Sequence, residues 1–140
     1  MSETPLTPEQ LSRLRESMAS IPYVQLLGMN FEDAAPGAAT VSMSARPELE
    51  RFGGIMHGGA LASLADTASA FAVLSTLEPV EQTVTVDLTL HYLRPVTDGK
   101  LTAHARVIRA GRRVATVSVE IFHESGKLIV TALTTYLKIS

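Results

Sequence analysis

The chain has 140 residues, of which 46% are apolar and 19% charged, with a net charge of -2 at pH 7. That length suits one domain that buries about two thirds of its unfolded surface, and the composition is globular rather than disordered. So weak a charge balance excludes broad attraction to nucleic acid or an anionic membrane, and the lack of cysteine excludes disulfides, thiolate metal sites and a cysteine nucleophile.

The first residues, Met1 to Pro5, show no basic region leading into an apolar run. No secretory signal is read there, and a cytoplasmic location is expected. A helix is expected from Pro8 to about Ser20. Thr7 suits the N-cap, Pro8 the first turn, and Gln10 completes a capping box. Leu11, Leu14 and Met18 share one face of it, and Ile21-Pro22 ends it. Residues 1–22 thus read as a helical extension of a single domain spanning 1–140.

Val24 to Glu32 reads as a strand with Gly28 as a bulge. Pro36-Gly37 is a turn signal. Ala39, Val41, Met43 and Ala45 then alternate with polar residues, as a half-buried strand does. Arg46 to Gly54 reads as a loop.

From His57 to Leu77 alanine and leucine dominate, which predicts a helix. It is apolar nearly all round and should be enclosed. Its interior carries Asp66 and several hydroxyls, so it reads as a core helix rather than a membrane span. Glu78-Pro79 stops it. Alternating strands follow at Val84 to Tyr92, Leu101 to Arg109, Ala115 to Ile121 and Leu128 to Ile139. Ala110-Gly111 and Glu124-Ser125-Gly126 mark turns. The short connections predict an antiparallel meander of these four strands. The fold expected is α+β: a curled antiparallel sheet wrapped around one long helix, with an extra N-terminal helix. A single sheet leaves edges open, so a dimer joining two sheets is expected.

Asp66 is the sharpest chemical signal. Its helical neighbours Ala62, Ser63, Ser69 and Ala70 include no cation. A carboxylate in such a setting needs a polar cavity or a distant partner. It therefore reads either as a functional group or as half of an inter-subunit or helix-to-sheet ion pair, for example with Arg51 or Arg94. His57-Gly58-Gly59 begins the same helix, where backbone N–H groups have no intrahelical acceptor and glycines admit a ligand. Such a terminus can hold an oxyanion. The alternative is a tight loop-to-helix turn with His57 as its cap.

Thr85 can hold a water, or it can simply serve strand propensity. Its parity places it with Asp87 and His91, away from the apolar face, so a bulge or a partner subunit is required to bring it to the helix. Arg106, Arg109, Arg112 and Arg113 cluster around one turn, as phosphate contacts or as an ordinary charged hairpin. Adjacent in a strand, Arg112 and Arg113 would point to opposite faces. His91, His104 and His123 lack metal-ligand spacing, and no histidine sits where Ser63 or Ser69 would need one for a triad.

The segments His57-Gly-Gly-Ala-Leu-Ala-Ser-Leu-Ala-Asp66-Thr-Ala, Thr85-Val-Asp-Leu-Thr-Leu-His-Tyr-Leu-Arg-Pro95 and Gly111-Arg-Arg-Val-Ala115 resemble the PaaI-type acyl-CoA thioesterases of the hotdog fold. The resemblance covers about residues 24 to 138. It implies a hotdog domain whose dimer carries two active sites at its interface, with a dimer of dimers common among relatives. It implies that Asp66 is the catalytic carboxylate, as general base or nucleophile. Gly58 and Gly59 then polarise the thioester carbonyl, and Thr85 positions water. His57 completes this candidate catalytic set. Arg112 matches a basic position near the nucleotide end of coenzyme A, and Arg51, Arg94 and Arg113 are further candidate contacts for it. No metal or cofactor is expected, since coenzyme A is part of the substrate.

Many relatives carry Asn six residues before the His-Gly-Gly histidine, where this chain has Arg51. Arg51 is a candidate to hold Asp66 ionised, or to approach a substrate carboxylate or a phosphate. It also keeps open a non-catalytic acyl-CoA binding module. A hotdog dehydratase or hydratase is the third reading, with His57 as its only plausible catalytic histidine.

Overall fold

The computed structural model describes residues 4–139, so the reading of Met1 to Glu3 lies outside it. Thr7 caps helix α1 (Pro8–Ala19), and the capping box is complete. The Gln10 N–H donates to the Thr7 hydroxyl at 3.1 Å, and the Thr7 N–H donates to Gln10 Oε1 at 2.8 Å. Leu14 and Met18 are buried on its inner face.

The strand expected at Val24 to Glu32 is not formed. Pro22 instead starts a short helix α2 (Pro22–Leu27), and Gly28 ends it at φ 71°. Proline fixes a helical φ at a first turn, and glycine takes the left-handed cap at little cost. Val24 and Leu27 are buried at helical spacing. Gly28 is thus a cap and not a bulge, and strand β1 (Asn30–Ala35) begins after it.

Strand β2 (Ala38–Ser44) pairs with β1 across the Pro36-Gly37 turn. A 3-10 turn at Pro47–Leu49 leads to helix α3 (Gly58–Leu74). Strands β3 (Gln82–Tyr92), β4 (Lys100–Ala110), β5 (Val114–His123) and β6 (Leu128–Ile139) complete one six-stranded antiparallel sheet, ordered β1-β2-β4-β5-β6-β3. Inward rows such as Val41, Ala103, Ile121 and Val130 carry the apolar alternation. They close on Leu64, Ala65, Ala68 and Ala72 of α3, none of which is exposed. Alanines on the helix let its backbone approach the sheet, and all six strands touch it.

Only the last three strands form the expected meander. β3 lies at the far edge against β6, because the flank of β4 that it would have taken is filled by β2. Residues 93–99 make this crossing and are tied down by hydrogen bonds from Met56 N to Val96 O and from Ala45 N to Gly99 O, both 2.8 Å. Among the described residues, no helix is long and apolar enough to cross a membrane.

Candidate active site

Helix α3 starts at His57, whose Nδ1 accepts the Gly59 N–H at 2.8 Å. The imidazole is therefore a neutral cap with its proton on Nε2. A Cβ at 59 would lie 2.9 Å from that nitrogen, so a larger residue there would push the imidazole out of its capping position. The same bond corrects the expected role of Gly59: its N–H is already spent. The Gly58 N–H has no acceptor among the described residues. The turn is braced from both sides. Tyr92 donates its hydroxyl to Gly58 O at 2.8 Å, and Ser63 donates to Gly59 O at 2.9 Å. Ser63 has a single proton and uses it there, so the Tyr23 hydroxyl 2.7 Å away donates to Ser63. A shallow cavity of about 260 Å³ opens beside Gly58, lined by Ile55, Met56, Leu61, Tyr92 and Leu93.

Asp66 sits two turns further along α3 and is half-buried. The Thr85 hydroxyl donates to its Oδ1 at 2.8 Å. Tyr136 donates to the same Oδ1, and its hydroxyl lies 2.5 Å from Asp66 O. Tyr136 is 1% exposed. Burial first, and then the adjacent Asp66, push its phenol well above the ordinary tyrosine range, so it keeps its proton and acts as a donor. The parity problem of Thr85 is resolved by a bulge: the register passes from Thr85↔Tyr136 to Asp87↔Thr135. The extra residue, Val86, turns Thr85 to the same face as Leu88 and Leu90.

Within the chain, Asp66 forms no ion pair with Arg51 or Arg94. Arg51 donates to Phe52 O at 2.9 Å and stacks 4.9 Å above the Phe52 ring, while Arg94 donates to Leu128 O at 2.6 Å. No salt bridge reaches Asp66 among the described residues. Arg112 and Arg113 also differ from expectation. They lie in the bend before β5 rather than within a strand, so both line one groove of about 490 Å³ with Arg109, Val114 and Thr116. Lys138 donates to Gly111 O at 2.8 Å beside it. The pairings Val114↔Leu137 and Ala115↔Tyr136 set this basic turn at the Asp66 end of the sheet, whereas Arg94 lines the cavity beside Gly58. No cluster of metal-binding side chains occurs among the described residues.

Tyr92 and Tyr136 were legible but passed over. A tyrosine on the inward side of an apolar strand needs a partner for its hydroxyl, and the facing helix offers few polar groups besides Asp66 and the glycine carbonyls.

The thioesterase superfamily profile matches residues 53–130. The medium/long-chain acyl-CoA thioesterase YigI of Escherichia coli K12 is 29% identical over 149 aligned positions, covering 94% of this chain and 96% of YigI. The crystal structure of thioesterase HI1161 from Haemophilus influenzae superposes with a TM-score of 0.86 at 28% identity, covering 99% of this chain and 94% of that one. The E. coli PaaI protein from the phenylacetic acid degradation operon superposes with a TM-score of 0.86 at 26% identity, covering 94% and 95%. Matched over more than half its length by the profile, and folded as these structures are, the chain belongs to the thioesterase superfamily, as a hotdog-fold member of the PaaI type.

Proposed function

We propose that the protein hydrolyses an acyl-CoA thioester to a free acid and coenzyme A. The observation that carries this reading is Asp66: a carboxylate inside an apolar helix, held by two hydroxyl donors and, among the described residues of its own chain, by no cation. The acyl-CoA class is supported by the activity named for YigI. In the reaction, Asp66 takes a proton from water as the oxygen attacks the thioester carbonyl, or attacks that carbon itself to give an acyl anhydride that water then hydrolyses to the free acid and the regenerated carboxylate. The carbonyl oxygen gains charge and is stabilised by the Gly58 N–H. The C–S bond then breaks and coenzyme A leaves as its thiolate. A thiolate is a good leaving group, so one base and one oxyanion donor suffice.

Gly58 and Asp66 of one chain cannot serve the same carbonyl. At about 1.5 Å of rise per residue, the eight helical steps from one to the other span about 12 Å. Two copies arranged so that Gly58 of one meets Asp66 of the other remove this distance. Among the described residues the long edge strand β3 pairs with β6 alone, with Val84 and Val86 well exposed, and offers the surface for such a dimer. That arrangement also joins Arg51 and Arg94 of one copy to Arg112 and Arg113 of the other, around a substrate rich in phosphate.

The test is thiol release from short, medium, long and aromatic acyl-CoAs by wild type and Asp66→Asn. Turnover is expected in wild type, with a loss of about 10²–10⁴-fold in the variant. Binding without turnover by a folded wild type would favour a binding module. A dehydratase would need His57 as its catalytic histidine, and His57 Nδ1 is engaged in capping α3; hydration of an enoyl-CoA without thiol release would favour that reading.

A further inference from the structure

Asp66 has two oxygens, and they are not equivalent. Oδ1 receives the hydroxyl of Thr85 on β3 and that of Tyr136 on β6, the latter shared with the Asp66 carbonyl oxygen. Oδ2 accepts no hydrogen bond among the described residues. Resting on the proposed function, we infer that Tyr136 is a positioning residue that, with Thr85, anchors Oδ1 and leaves Oδ2 as the oxygen that reacts.

The two donors stand in one row of the sheet. Tyr136 pairs with Thr85 on one side and with Ala115 on the other, directly beneath Asp66. Rotating the carboxylate by half a turn exchanges its oxygens and gains nothing, so what the donors fix is the plane and position of the group. Whichever oxygen fills the anchored place cannot readily take a proton, because hydroxyl hydrogens already point at it. A proton removed from water therefore goes to the free oxygen. The acid that results keeps a carbonyl oxygen at the anchored place, and a carbonyl still accepts both hydroxyls. The anchor thus holds through both protonation states of the cycle. In the covalent route the same oxygen attacks the carbonyl carbon. The phenol does not compete for the transferred proton, because its buried setting keeps it protonated.

Tyr136 touches Asp66 and not the substrate, so its loss should appear in kcat and leave KM nearly alone. Tyr136→Phe keeps the ring and removes the donor. The expected result is a fall in kcat of about 10–100-fold with KM within about twofold, and an acid limb of the kcat/KM profile moved to higher pH. A difluorotyrosine in place of Tyr136 keeps the fold if the phenylalanine variant does not, and being the stronger donor it should move that limb to lower pH. Wild type and Asp66→Asn are assayed alongside, with thermal melts to show that each is folded. If Asp66→Asn is inactive while Tyr136→Phe turns over within twofold of wild type, or the acid limb stays put in the difluorotyrosine protein, the inference falls and the reading of Asp66 stands. If Asp66→Asn turns over like wild type, both fall.

Discussion

The Thr85 hydroxyl reaches Asp66 Oδ1 at 2.8 Å only because the strand that carries it has one residue too many. Without the bulge at Val86, strict alternation would turn Thr85 to the outer face of the sheet together with Asp87 and His91. Thr85→Ser keeps the donor and should hold turnover within about threefold. Thr85→Val, of nearly the same shape, should lower kcat by about tenfold, in keeping with a hydrogen bond of about 1.4 kcal/mol at an ionised group. Steady-state kinetics on any acyl-CoA that the wild type turns over decides between them.

His57 is predicted to matter for the helix start and not for chemistry. His57→Asn supplies another good cap and should retain stability and turnover. His57→Ala leaves the Gly59 N–H without its acceptor and should cost about 1 kcal/mol in denaturant unfolding. Loss of all turnover in a folded, fully stable His57→Asn would instead place the imidazole in the reaction.

Tyr136 sets an alkaline limit on stability. Its phenol is raised above the ordinary value of 10.0, so in the native state it stays protonated where the unfolded chain has released its proton. The contribution is therefore complete below about pH 10 and is lost as pH rises above it, at up to about 1.4 kcal/mol per pH unit. Urea unfolding between pH 8 and about pH 11 should show this fall, and Tyr136→Phe should flatten it.

Thr134, two residues before Tyr136 on the same inward face, is fully buried and its hydroxyl has no partner among the described residues. Thr134→Val exchanges that hydroxyl for a methyl of similar size and should stabilise the fold by about 1 kcal/mol. Thermal unfolding would register a rise of about 3 °C. A lower melting temperature would show that the hydroxyl is satisfied in solution.

Much of the fold was readable from local rules. The capping box at Thr7 and Gln10, the alternation along Ala39 to Ala45, and the apolar run after His57 each follow from short-range chemistry, and the structure keeps all three. The first strand was misread because Val24, Leu26 and Gly28 mimic alternation, while Pro22 and Gly28 in fact start and cap one helical turn and a half. The place of β3 was not readable at all. Strand order is a long-range choice, and here β2 competes for the flank of β4. The site shows the same division. Asp66 stands out in one dimension, as the sole acid of its helix. Its donors lie 19 and 70 residues away, and only the pairing of β3 with β6 brings them together.

That pairing also orders events in time. The phenol that holds Asp66 belongs to the final strand, so the carboxylate is unsupported until β6 has been made and has docked between β5 and β3. Closing a loop of 70 residues is entropically costly and slow beside the local turns of β4 and β5. A refolding chain should therefore regain most of its helix signal before it regains a competent base. A partial fraying of β6 would likewise silence the carboxylate while most of the sheet is still standing, which makes the last strand the part of the molecule where mechanical integrity and chemistry fail together.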